Sequence, residues 1–273
     1  KDSSLIIQNA DMQINKSYWP LSPVLINLNS PTVNYKGMEM RNAVLKAKYV
    51  NDTLYISNFT GNVVEGILQV EGKIELDEKQ PFVIQGQFKN ISLNTLLKQS
   101  QVATWERINI NLSSPNFKIS GKGKDNQDWE TSLTGILPIQ GSLYFISSDE
   151  ERFGAALLSL LVEKIPDLKF ISQSVNFLLS TYANVPSSID GTITIKDGLI
   201  ISNEILLTNK EGKSNVKGSY SFIENTIDGK IYFYEKSEIF LEASLQGKIE
   251  NPKILIAGKV FSDQEEQPMQ DIK

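Results

Sequence analysis

Residues 188–234, SIDGTITIKDGLIISNEILLTNKEGKSNVKGSYSFIENTIDGKIYFY, decide how this chain folds. Apolar and polar residues alternate with period two, and the alternation is punctuated by turn residues. Ile193 and Ile195 precede Asp197-Gly198. A two-residue turn there would pair Lys196 with Leu199 and set Ile201 opposite Thr194, splitting the apolar set between faces. A three-residue loop with a G1 bulge pairs Ile195 with Leu199 and keeps Ile201 on the face of Ile193, so that loop is expected. The turn Asn209–Gly212 pairs Leu207 with Ser214 and carries the face to Val216, Gly218, Tyr220 and Phe222. A tight turn at Glu224-Asn225 sets Phe222 against Ile227, followed by Ile231 and Phe233. Leu241, Leu245 and Ile249 continue the face, and Asn251-Pro252 turns the chain to Ile254 and Ile256. The other face reads Thr192, Thr194, Lys217, Ser219, Asp228, Lys230, Glu242 and Gln246. The segment 188–261 is therefore expected to be an antiparallel meander with one apolar side.

Upstream, the same grammar recurs. Asn51-Asp52 is a turn between two strand-like runs. Val70 and Ile74 share a face with Leu76. The turn Asp77–Pro81 is expected to place Leu76 opposite Phe82 and Ile74 opposite Ile84, with Phe88 on the same side. Leu93, Leu96 and Leu97 at helical spacing behind Ser92 predict a short helix near 92–99. Ser113–Asn116 reads as a turn, and Trp129 to Phe145 as two or three short strands. A helical pair is expected near 152–182, broken at Pro166.

Composition narrows the chemistry. The chain has 273 residues, no Cys, no His, and a net charge of −5. The absence of imidazole and thiol excludes His-based triads, Cys nucleophiles and Cys/His zinc sites. An acidic chain without a basic run is not expected to bind nucleic acid. Gly212-Lys213-Ser214 mimics the end of a phosphate-binding loop, but it sits in a hairpin and position 207 is Leu. Asp149-Glu150-Glu151 reads as an acidic first helical turn, and Trp19, Trp105 and Trp129 as packing residues. No catalytic residue, metal site or cofactor is assigned, and no enzyme activity is expected. The chain opens in strand-like sequence at Leu5–Ile7, which suggests that a targeting segment lies upstream.

The run Asp190-Gly191-Thr-Ile-Thr-Ile-Lys-Asp197-Gly198, followed by Leu245-Gln-Gly247-Lys-Ile-Glu-Asn251-Pro252, resembles the C-terminal region of the AsmA-like family of bacterial envelope proteins. Residues 43–97 resemble that family's strand repeats. The resemblance implies a mainly β fold, a long antiparallel meander curved into an open apolar groove. The strand and helix pattern divides the chain into four parts, an N-terminal groove part (1–148), the helical pair (149–187), the C-terminal meander (188–261) and a polar tail (262–273) expected to be disordered, and the resemblance fits that division. It further implies a periplasmic protein of a Gram-negative bacterium, anchored in the inner membrane by an upstream helix. Its partners would be phospholipid acyl chains and envelope proteins. The residues expected to meet acyl chains are the apolar-face positions: Val70, Ile74, Phe82, Ile84 and Phe88 upstream, and those from Ile193 to Ile256 named above. The alternative is a non-catalytic scaffold whose apolar groove packs against another protein chain.

Overall fold

The computed structural model describes residues 5–16, 23–35, 38–99, 107–148, 166–235, 237–249 and 253–258. These form one open antiparallel sheet of fifteen strands. In chain order they are β1 (Leu5–Gln8), β2 (Asp11–Lys16), β3 (Val24–Tyr35), β4 (Met38–Val50) and β5 (Thr53–Val63). Next come β6 (Gly66–Glu75), β7 (Phe82–Ser92), β8 (Ile108–Gly121), β9 (Thr134–Phe145) and β10 (Ser187–Lys196). The sheet ends with β11 (Leu199–Thr208), β12 (Lys213–Ser221), β13 (Thr226–Glu235), β14 (Glu238–Lys248) and β15 (Lys253–Gly258). β1 and β2 lie end to end along β3, and from β3 each strand pairs with the next. Among the described residues three helices interrupt the meander: α1 (Leu93–Gln99), α2 (Asn126–Ser132) and α3 (Pro166–Tyr182). β9 and β10 pair over ten residues on either side of the helical insertion, so the two sheet halves are continuous.

Local chemistry explains the turns. Asn51 and Asp52 both adopt positive φ (49° and 53°), the geometry of a two-residue hairpin that twists with its strands. Asp197 and Gly198 do the same at 49° and 80°. The loop there therefore has two residues and not three. Lys196 pairs with Leu199, and Ile201 faces Thr194 on the polar side. The apolar face is recovered by a bulge between Ser202 and Ile205, which returns Ile205 and Leu207 to it. The extra residue shifts the parity once, and the face resumes on the strand's far half.

Two other registers move by two residues, which preserves the face. Phe82 pairs with Ile74 and not with Leu76, which is exposed in the turn. Tyr220 pairs with Ile227, while Phe222 starts the loop and meets the Tyr220 ring edge-on at 5.6 Å. Ser113–Asn116 is a bulge inside the single long strand β8, because β7 and β9 continue to pair on both sides of it. The stretch from Trp129 is the end of α2 followed by one twelve-residue strand. Asp125 caps α2, its carboxylate accepting from the Asp128 N–H at 2.8 Å.

α1 finishes a ladder. β7 ends at Ser92, whose hydroxyl caps the helix toward Thr95. Asn94 then takes the place of the missing strand, accepting from the Ile110 N–H at 2.9 Å and donating to the Ile108 carbonyl. One rim of the sheet is laced turn to turn. Leu76 N–H donates to Asp52 O, Gly123 to Lys79, Asp197 to Leu133, Phe222 to Gly198 and Ile249 to Asn225, at 2.7–3.2 Å.

α3 lies over the other rim. Tyr182 forms a core with Phe233, Leu241 and Ala243, against which Phe177, Leu178, Ile231 and Phe240 pack, and Leu241 is fully buried. Phe177 stands 4.5 Å from Phe240 and Tyr182 5.5 Å from Phe233, centroid to centroid. The cover of this part of the meander comes from α3, outside 188–261.

Burial pushes the Tyr182 phenol above its usual 10.0, and its hydrogen bond with Ser214 partly offsets this. The fold thus favours the protonated phenol. This stabilisation is complete below about pH 10 and is lost as pH rises through the raised value. Tyr182→Phe should flatten that alkaline slope in urea titrations while costing about 1 kcal/mol at neutral pH for the bond to Ser214. An unchanged slope above pH 10 would contradict the assignment.

The first predicted helix (152–165), the acidic triplet 149–151, Trp19, Trp105 and the tail 262–273 lie outside the described residues.

Candidate functional site: an apolar furrow across the sheet

Cross-strand partners share a face, so the registers define one apolar surface through the whole sheet. In the N-terminal half it carries Leu54 opposite Ile74, Ile74 opposite Phe82, Ile84 opposite Ile119 and Leu68 opposite Phe88. In the C-terminal half it carries Ile193, Ile195, Val216, Tyr220, Ile227, Ile231 and Leu245. The opposite surface holds a hydrogen-bonded ladder of polar side chains. Gln85 donates to Glu71 at 2.7 Å, Gln87 to Gln69 at 2.9 Å, and Lys230 to Glu242 at 2.8 Å. The Glu242 carboxylate holds Lys230 above its usual pKa.

On the apolar side a hollow of about 220 Å³ opens between β10 and β14. Its floor is a line of small residues in direct register: Ser202 opposite Gly218, and Gly218 opposite Gly229. Ile193 closes the line at one end and Leu245 at the other. One bank is Ile200, Tyr220 and Ile227; the other is Ile205, Val216 and Ile231. In a flat sheet β10 and β14 would lie about 19 Å apart. Ile193 and Leu245 wall one hollow across this span, with no side chain larger than that of Ser202 in line between them.

The glycines make the furrow possible. A Cβ on Gly218 would sit 2.6 Å from both the Asp228 carbonyl and the Gly229 Cα. A Cβ on Gly229 meets nothing nearer than the Lys217 carbonyl at 3.2 Å, and its side chain would rise into the hollow.

The expected site residues divide accordingly. Ile193, Val216, Tyr220, Ile227, Ile231 and Leu245 wall the furrow together. Ile195 is buried beside them on the same face. Val70, Ile74, Phe82, Ile84 and Phe88 share that face further along the sheet. The register puts Ile254 opposite Leu245 and Ile256 opposite Ala243. Phe222 and Ile249 lie in the laced rim. Two expectations change. Ile201 points to the polar side for the reason given above, and Ile200 takes its place. Phe233 and Leu241 are buried beneath α3 and do not line open space.

Ile200 and Ser202 were not foreseen; the signal would have been the type of turn that Asp197-Gly198 favours, followed by a polar Asn203 at the bulge.

A larger hollow of about 540 Å³ on the polar surface lies between Glu71, Gln85, Lys118 and Ile136. Its carboxylate already accepts from Gln85, and nothing in it converges on a reacting group. Among the described residues no cluster of three or more acidic side chains could hold a metal ion, and no helix is long and apolar enough to cross a membrane. Comparison with family models, with curated proteins and with solved structures finds no match.

Proposed function

We propose that the apolar face is a lipid-binding groove, and that the furrow over Gly218 and Gly229 takes an alkyl segment. The observation that carries this reading is the furrow itself, an apolar channel running across five strands, in which Lys217, Asp228 and Lys230 border the floor but carry their side chains on the opposite face of the sheet. Each CH₂ removed from water is worth about 0.8 kcal/mol, so a few seated methylenes give measurable affinity without any catalytic group. A cavity of about 150 Å³ lined by Leu, Ile and Phe already accepts benzene, and this hollow is larger. A headgroup can stay in water at the open side, so no charged headgroup site is required.

The reading agrees with the AsmA-like resemblance. It extends to the carriage of phospholipid acyl chains between the inner and outer membranes of a Gram-negative envelope, without chemical conversion.

Lipid extraction and native mass spectrometry of the purified chain should find acyl adducts, and a fluorescent fatty acid should bind and be displaced by phospholipid. Ile227→Lys places a charge on one bank and should weaken probe binding by about tenfold or more. Lys230→Ala, on the opposite face, should leave it unchanged. Equal effects of the two, or a delipidated chain that takes no acyl probe, would overturn the proposal.

A further inference from the structure

α3 occupies the same face that the furrow opens on. Its Tyr182 forms a core with Phe233, Leu241 and Ala243 against which Phe177 and Leu178 pack, and Ile231, which pairs with Ala243 and packs on the same core, also lines the furrow's bank. The helix and the hollow are therefore contiguous, with no polar boundary between them. Among the described residues, several polar bonds hold the helix's C-terminal end. Asn209 donates to the Thr181 carbonyl and to Ser187 Oγ, both at 2.9 Å, and Tyr182 bonds Ser214. Asn184 N–H donates to the Phe145 carbonyl at 2.8 Å just beyond. One turn before Phe177 and Leu178, Ser174 buries a hydroxyl that has no partner among the described residues. A buried hydroxyl without a partner weakens the docked state relative to an apolar one. The segment is thus pinned at 181–184, and the buried Ser174 hydroxyl makes its docking less favourable one turn before Phe177.

Apolar side chains of a docked helix and methylenes of an acyl chain satisfy this surface by the same physics. We propose that α3 is an autoinhibitory occupant of the groove: Phe177 and Leu178 compete with an acyl chain for the strip beside Ile231, and the helix yields about its pinned C-terminal end. This rests on the acyl-binding reading. An acyl chain seated over Gly229 that extends past Ile231 would displace Phe177 from Phe240 and leave the polar pins in place.

The chain contains no cysteine, so two can be introduced without background. Spin labels at Gln173→Cys on the exposed side of α3 and Gln246→Cys on the polar face of β14 report the helix position. Adding a long-chain fatty acid should shift the label distance, and Phe177→Ala should bind a fluorescent fatty acid roughly three- to tenfold more tightly than the unaltered chain. Phe240→Ala removes the same ring contact from the strand side and should act in the same direction, which covers the case in which the helix variant fails to fold. If the unaltered chain binds the probe but the label distance stays fixed and neither variant tightens binding, the inference falls and the groove reading stands. Weaker binding by both variants would make α3 a wall of the site and would equally overturn it. If the unaltered chain binds no acyl probe at all, both readings fall.

Discussion

Gly229→Leu should weaken acyl-probe binding by about tenfold or more while the protein keeps its fold and its melting temperature to within a few degrees. Two displaced methylenes at about 0.8 kcal/mol each account for the factor. The fold should survive because a side chain at 229 projects into open space. Its Cβ meets the Lys217 carbonyl at 3.2 Å and the Gly218 Cα at 3.8 Å, contacts that a shift of a few tenths of an ångström relieves. Replacing a strand glycine with a larger apolar residue also removes a local weakness of the strand.

Gly218→Ala is the matched control with the opposite signature. Its Cβ runs into the Asp228 carbonyl and the Gly229 Cα, both at 2.6 Å. It should cost about 1–3 kcal/mol of stability and add only a methyl group to the floor. Titration with a fluorescent fatty acid alongside circular dichroism separates the two. Full probe binding by a folded Gly229→Leu protein would remove the furrow from consideration.

The second large effect is on stability. Leu241→Ala should destabilise the chain by about 2–5 kcal/mol, measured by urea unfolding. Leu241 is completely buried, held between Phe233 and the face of α3, and truncation leaves a cavity that the two ring pairs cannot close. Leu245, four residues along the same strand and facing the hollow, should lose clearly less on truncation, because the space beside it is already empty. Comparable losses at the two positions would mean that α3 does not form the core described.

Much of this architecture is legible in the sequence because a strand's face is a local property with period two. Val216, Ile227, Ile231 and Leu245 could be assigned to one side without knowing what lies beside them. Loop length is less legible. Leu76 and Phe222 sit where a turn could begin at either of two same-face residues, so the register moved by two and the face held. At Ile201 two choices interact, a two-residue turn and a compensating bulge near Asn203, and only the pairing of three strands together settles them. The hairpin at Val64-Glu65 carries no Gly, Asn or Pro, and Val64 adopts a φ of 51°, which a β-branched residue rarely does. α2 is seven residues long and lacks an apolar period, so nothing local announces it. The docking of α3 joins residues some fifty positions apart, and the furrow's floor joins three strands. Neither is written in any single window of sequence.

The laced rim has a consequence for how the sheet holds together. A row of hairpins joined only strand to strand can fray or slip one unit at a time, as in repeat proteins whose stability is a sum of nearest-neighbour terms. Here each turn along one rim, from Asp52 to Ile249, is also tied to the next on that rim by a backbone hydrogen bond. A slip in one hairpin would move its turn by whole residues and break the tie to its neighbour. Alignment is therefore handed from unit to unit like the teeth of a zip. The sheet, fourteen strand positions and about 62 Å long, is built to shift its register as a whole or not at all.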